Sequence, residues 1–209
     1  MAREPREQIV ARILDATIAC VFEYGLDAVQ LTQIATTAGM SARTLSRYYP
    51  EKEALLADAA TRYLSANYAA FVENYEKAPK AGLSGRERLL LFLSLQKDHF
   101  KERTLEAMMM VDLRFYRVRH GNTRPSWTIP GGDGVRGIVI DCIEDGMRDG
   151  SIRTDLDPAM TSALISATYN GMMQRMTMIY RSAMDDARKE PLYGMFGNYI
   201  DLADRYLRP

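Results

Sequence analysis

The chain has 209 residues, 47% of them hydrophobic and 26% charged, with 27 basic residues matched by 27 acidic ones. This composition suits a globular protein with a real core and excludes a chain-wide basic field for nucleic acid or membrane, so any DNA site must be a local patch. Cys20 and Cys142 make no disulfide framework, no stretch is apolar for the ~18 residues a membrane span needs, and charges fill the start MAREPREQIV, so the cytoplasm is the expected compartment.

In chain order the sequence predicts helix after helix. From Arg6 to Tyr24, Val10, Leu14, Thr17, Ile18 and Val21 fall on one face, and Gly25 ends the run. Two short helices follow within Leu31 to Tyr49. A long one runs from about Glu51 to Glu76 and is broken by KAPKAGLSG. Ser84 and Glu87 have capping-box spacing and open a fifth helix to about Glu102. A sixth covers Thr104 to Arg119, and the Gly- and Pro-rich stretch His120 to Gly134 reads as a loop. A seventh helix runs from Val135 to Arg148. Asp157 is the expected N-cap of an eighth, with Pro158 in its first turn, running to about Met184. A last helix ends near Leu207. The chain reads as all-α, with an internal boundary inside or after the long fourth helix, no alternating strand pattern and no internal repeat.

The stretch LTQIATTAGMSARTLSRYYPEKEALL carries the sharpest local signal. Leu31, Ile34, Ala35 and Ala38 have i, i+3, i+4, i+7 spacing and face inward, while Thr32, Gln33, Thr36 and Thr37 face out. Gly39 suits the left-handed turn after a helix, and Ser41 is a good N-cap for the next. On that second helix Leu45 and Tyr49 face the core and Arg43 and Arg47 point the opposite way. Pro50 stops it, because the residue before a proline is pushed out of α geometry. A short helix with one apolar edge and one basic, hydrogen-bonding edge fits a helix-turn-helix that enters the major groove, whose width of about 12 Å admits one helix. A helical hairpin with a solvated polar face would show the same spacing. The near-zero net charge of residues 1–52 argues against strong non-specific DNA affinity.

Residues Arg6 to Leu56 resemble the N-terminal domain of the tetracycline-repressor (TetR) family. The matching residues are Phe22, Gly25, Ile34, Ala35, Ala38, Gly39, Ser41, Thr44, Leu45, Tyr48, Tyr49, Lys52 and Glu53. The run EDGMRDGSIRTDLDPAMTSALISATYNGM is similar to the family's approach to its penultimate helix. The resemblance implies about nine helices in two parts. Residues 1–52 would form a three-helix DNA-binding domain, with its helix-turn-helix at about 31–50, and residues 53–209 a larger ligand-binding and dimerisation domain.

The implied function is a cytoplasmic, homodimeric transcription regulator, a repressor released from a near-palindromic operator by a small ligand. The alternative is a regulator of the same kind without an inducer, controlled by a protein partner. By resemblance, Thr32, Gln33, Ala42, Arg43, Thr44 and Arg47 lie nearest the bases, and Ser41, Tyr48 and Lys52 hold the DNA backbone. Lys52 also sits in the first turn of a helix, where the macrodipole disfavours a cation, and a nearby phosphate would account for it. Glu51 and Glu53 could equally neutralise it. Two residues depart from the family pattern: Ser46 stands where an aromatic is common, and Met40 replaces the usual valine.

The rest of the chain shows no catalytic constellation, so no enzyme activity, cofactor or metal is expected. His99 and His120 are too far apart for a local metal motif, and GGDG lacks the lysine and strand context of a phosphate loop. Cys20 and Cys142 read as buried structural thiols. Thirteen methionines concentrate in AMMMVDLRFY and YNGMMQRMTMIY, which suit either a core or an adaptable pocket. The family places its pocket among the fifth to eighth helices, which makes Phe92, Met109, Leu113, Tyr116, Tyr169, Met173 and Met176 the candidate lining of a site for an apolar or amphipathic ligand. The last two helices are the implied dimer interface. There Ala163, Ala167 and Gly171 recur every four residues and Tyr199 and Tyr206 stand seven apart.

Overall fold

The computed structural model describes residues 4–120, 132–180 and 186–209. Among them are nine helices and no strand: α1 (Arg6–Tyr24), α2 (Leu31–Thr37), α3 (Ala42–Tyr48), α4 (Lys52–Lys77), α5 (Gly85–Glu102), α6 (Thr104–His120), α7 (Gly132–Asp149), α8 (Pro158–Tyr180) and α9 (Asp186–Leu207). The expected loop at His120 to Gly134 falls mostly on residues 121–131, outside the described set, as does the expected end of α8 beyond Tyr180. Helix α7 starts at Gly132, three residues before the first apolar residue that announces it in the sequence.

The chain divides into two compact units, one of Met1–Asn67 with Asp112–Pro130, the other of Tyr68–Val111 with Gly131–Pro209. The division falls inside α4; the border at 52/53 is the one the resemblance implies. No described helix is long and apolar enough to cross a membrane.

In the first unit α1 packs on α2, and α2 on α3. The α1 stripe buries Ile13, Leu14, Thr17, Cys20 and Val21. The Thr17 hydroxyl donates to the Ile13 carbonyl at 2.7 Å, which removes the cost of burying it. Ile34, Ala35, Ala38, Leu45, Leu55, Leu56, Ala59, Ala60 and Leu64 complete this core. Tyr49 is buried with its hydroxyl donating to Asp58 Oδ2 at 3.1 Å. Burial first, and then the Asp58 charge, push its phenol up to about 12.

The second unit is built on α5, which packs against α7 and α9, with α8 joining both of those. Phe71, Tyr75, Leu89, Phe92, Leu93, Val139, Cys142, Ile143 and Ile152 form its main core with residues from α8 and α9. Phe92 meets Phe71 and Tyr75 edge-on, at centroid distances of 5.2 and 5.5 Å. Both cysteines are free and buried, as the sequence suggests. A smaller cluster holds Ala107, Val111, Met173, Met176 and Phe196.

Helix starts follow the sequence closely here. Ser84 accepts from Glu87 N and Glu87 Oε2 accepts from Ser84 N at 2.8 Å, the expected capping box. Asp157 Oδ1 accepts from Met160 N at 2.8 Å, the expected cap of α8. A contact across the chain reinforces the first: Asp149, the last residue of α7, accepts from Gly85 N at 2.8 Å and from Ser151 N at 2.9 Å. Ser151 and the Gly85 amide hold the Asp149 carboxyl below its ordinary value of 3.8, and the Ser84 backbone and hydroxyl hold Glu87 below 4.5. A depressed folded-state value contributes stability above the ordinary value, and that stability is lost as pH falls below it. Asp149→Asn should therefore flatten the loss of thermal stability between about pH 5 and pH 3. A variant melting profile parallel to the parent's over that range would contradict the clamp.

Candidate nucleic-acid interface

The site begins with how two seven-residue helices are held, since neither would persist alone in water. Helix α2 starts at Leu31, and the Gln33 side-chain carbonyl reaches back to accept from Gln30 N at 2.7 Å. The sequence does not signal this, because glutamine is not a preferred cap residue. It leaves Gln33, read as a base contact, with only its amide NH2 free to reach outward. At the other end Gly39 takes φ +67°. Met40 N donates to Ala35 O at 2.9 Å and Gly39 N to Thr36 O at 3.0 Å, which is the paired closure that a left-handed glycine permits. The α2 terminus is also tied to α1 through Thr37 Oγ1 and Cys20 Sγ, 3.3 Å apart.

Helix α3 then starts on Ser41, whose hydroxyl accepts from Thr44 N at 3.1 Å and lies 2.9 Å from the Thr44 hydroxyl. Leu45 is fully buried and is the only buried residue of the helix. Arg43 and Arg47, one turn apart, are exposed, as are Thr32, Ser41 and Ala42, while Thr44 and Tyr48 are half-buried. Among the described residues neither Arg43 nor Arg47 has an ion-pair partner. Ser46 donates its hydroxyl to the Ala42 carbonyl at 3.0 Å, so this departure from the family pattern turns inward on its own helix. Lys52 is the first residue of α4 and half-buried, between exposed Glu51 and Glu53. Two guanidinium groups on one exposed edge can each pair bidentately with guanine, and the surrounding hydroxyls and Lys52 can hold phosphate oxygens.

The pocket candidates are divided between the two units. Met173 and Met176 share the smaller cluster with Phe196, and Tyr169 packs against both clusters of the second unit. Phe92 belongs to the main core. Leu113, fully buried, and half-buried Tyr116 are assigned to the first unit, and Met109 is half-buried in neither cluster. Among the dimer candidates Ala163, Ala167 and Gly171 are exposed, as is Tyr206. Tyr199 is different: it is buried, and its hydroxyl donates to Ile165 O at 2.8 Å. That residue serves the core of its own unit together with Ala203 and Leu207, while Tyr206 lies outside this buried stripe.

No group of three or more possible metal ligands occurs among the described residues. His99 is half-buried and edge-on to Phe71 at 6.1 Å, and burial lowers its pKa. The side chain of His120 lies outside the described residues.

Residues 13–59 match the model of the bacterial regulatory proteins of the tetR family. An uncharacterized HTH-type transcriptional regulator of Mycobacterium bovis is 40% identical over 55 residues, 26% of this chain and 29% of that protein. The HTH-type transcriptional repressor KstR of Rhodococcus jostii is 35% identical over 107 residues, 48% of each chain. The chain thus spans less than half the length of the curated relatives it matches. The fold extends further than the sequence likeness. The transcriptional regulator FadR of Bacillus subtilis, solved in complex with stearoyl-CoA, superposes with a TM-score of 0.62 over 95% of this chain and 99% of its own, at 17% identity. Residues 13–59 thus carry a helix-turn-helix domain of the tetR family of bacterial regulatory proteins.

Proposed function

We propose that the protein is a homodimeric transcriptional repressor that reads a near-palindromic operator with α2 and α3 and leaves it when a small apolar or amphipathic ligand binds. One observation carries the reading: α3 is anchored by buried Leu45 and turns out Arg43 and Arg47, which no described acid neutralises. A surface helix gains nothing in stability from two unpaired cations one turn apart, which repel each other, so a polyanion is the natural partner. The role is regulatory and involves no catalytic step.

If Arg43 reads a guanine, Arg43→Ala should cost about 1–3 kcal/mol on a duplex selected from a random pool and far less on a scrambled one. Lys52→Ala should weaken both duplexes alike and lower the salt slope by about one. Equal losses for both variants on both duplexes would mean the base and phosphate contacts are wrongly assigned.

A single helix-turn-helix covers few base pairs, and two-fold pairing of two copies doubles the site. The open stripe of α8 supports that assembly. Met160, Leu164 and Met178 are exposed there beside Ala163, Ala167 and Gly171, and Leu202 and Tyr206 are exposed on α9. Apolar surface of this extent is costly in a monomer, and small residues at four-residue spacing allow close helix approach. Light scattering at micromolar concentration should give twice the chain mass of 23.6 kDa; a single-chain mass would contradict the assembly.

For the ligand, support comes from the methionines and aromatics of the second unit, which carry little fixed charge, and from the acyl-CoA bound to the Bacillus subtilis neighbour. Release requires that the ligand favour the DNA-incompetent conformation. Helix α4 runs uninterrupted from Lys52 into the second unit and is the lever in this account. Titrating stearoyl-CoA against the protein on its selected duplex should release the DNA; undiminished affinity would remove acyl-CoA as the effector.

A further inference from the structure

The contact that the helix-turn-helix alone does not explain is at the opposite end of the first unit's sequence. Arg6, the first residue of α1, places its guanidinium carbon 5.9 Å from the centre of the Tyr48 ring, at the last residue of α3. Tyr48 is one of the residues read as holding the DNA backbone. At this distance an exposed cation–ring contact is weak, and it does not consume the guanidinium's N–H donors, which can still reach another partner. The acids near Arg6 in sequence do not claim it. Glu4 instead pairs with Arg12 at 3.2 Å, and no described acid pairs with Arg6. Pro5, which caps the start of α1, fixes the chain direction there, so that Arg6 N-terminal to the helix body is carried by ordered backbone.

We infer that Arg6 is a further DNA-contacting residue, a phosphate clamp positioned by its contact with the Tyr48 ring that extends the interface from α3 to the start of α1. The inference rests on the DNA-binding reading above. A guanidinium drawn to a ring has its rotamers biased before binding, so less freedom is lost when its donors meet a phosphate, and a planar fork suits that ligand better than an ammonium does. The purely structural alternative is that Arg6 only shields the Tyr48 ring. A shielding arginine would leave the salt dependence of DNA binding untouched, whereas each phosphate neutralised adds about 0.9 to the slope of log affinity against log salt.

The test is fluorescence anisotropy with the full chain, on a duplex selected from a random pool and on a scrambled duplex of equal length, from about 50 to 200 mM salt. Arg6→Ala should bind both duplexes about tenfold more weakly at the low-salt end and reduce the slope by about one. Arg6→Lys should restore the slope while recovering only part of the affinity, because the charge returns without the planar fork. Arg6→Ala with the parent's affinity and slope would overturn the clamp, and so would a loss confined to the selected duplex with an unchanged slope. A parent protein that selects and binds no DNA would instead overturn the reading of α2 and α3, which separates the two failures.

Discussion

Leu45→Ala is expected to cost about 3–5 kcal/mol in the first unit and to remove DNA binding with it. Leu45 is fully buried and is the only residue of α3 that is. A seven-residue helix lies well under the length that is stable alone, so its tertiary anchor decides whether it exists. Deleting the side chain forfeits its transfer free energy and leaves a cavity at the only buried position of α3, in a core it shares with α2. Loss should therefore be equal on selected and scrambled DNA, since the helix carrying Arg43 and Arg47 frays as a whole. Arg43→Ala differs: the residue is exposed, and its stability should stay within about 0.5 kcal/mol of the parent. Urea unfolding and anisotropy on the same preparations check both points. A Leu45→Ala variant with parental stability would mean that α3 is held by something other than this side chain.

The second large effect lies where α5 meets α7. A Cβ added at Gly85 would stand 2.1 Å from Gly146 N and 2.5 Å from the Cys142 carbonyl oxygen. Both are backbone atoms, so neither can step aside as a flexible side chain would. Relief requires that the two helices separate, which strains the Asp149 clamp on Gly85 N and opens the core around Cys142 and Leu89. Gly85→Ala should therefore cost about 3 kcal/mol, at the upper end for overpacking. Gly137, on the same α7, has nothing within 4 Å of an added Cβ, and Gly137→Ala should gain about 0.5–1 kcal/mol from the better helix former. Opposite signs in urea unfolding are the expected outcome. A neutral Gly85→Ala would show that the close approach of α5 and α7 is wrong.

These two cases also mark what the sequence makes legible. The inward set Ile34, Ala35, Ala38, Leu45 and Tyr49 follows from helical period alone, because each side chain's face is fixed by its spacing. Ser41, Ser84 and Asp157 could be read as caps because a cap is a contact within four residues. Contacts across the chain leave no such trace. The approach of Gly85 to Gly146, the hold of Asp149 on Gly85 N and the place of Arg6 over Tyr48 depend on packing that no local pattern records. Tyr199 and Tyr206 show the limit from the other side. Their seven-residue spacing sets them near one another around α9, but period cannot place the edge of the buried stripe, which Ala203 and Leu207 carry to the end of the helix without Tyr206. In the event Tyr199 is buried and Tyr206 open. Gln33 was legible as outward-facing, while its use as a cap for Gln30 N was not, since Gln30 is not a residue that announces an N-cap.

The central claim is that α2 and α3 of two chains read DNA sequence together, and selection of duplexes from a random pool by the full-length protein tests it most directly. The account predicts enrichment of a near-palindrome, its half-sites about one helical turn or more apart, with guanines at positions whose selection weakens when Arg43 is replaced by alanine. A pool that emerges without any enriched sequence, bound no more tightly than the starting DNA at the same salt, would contradict it.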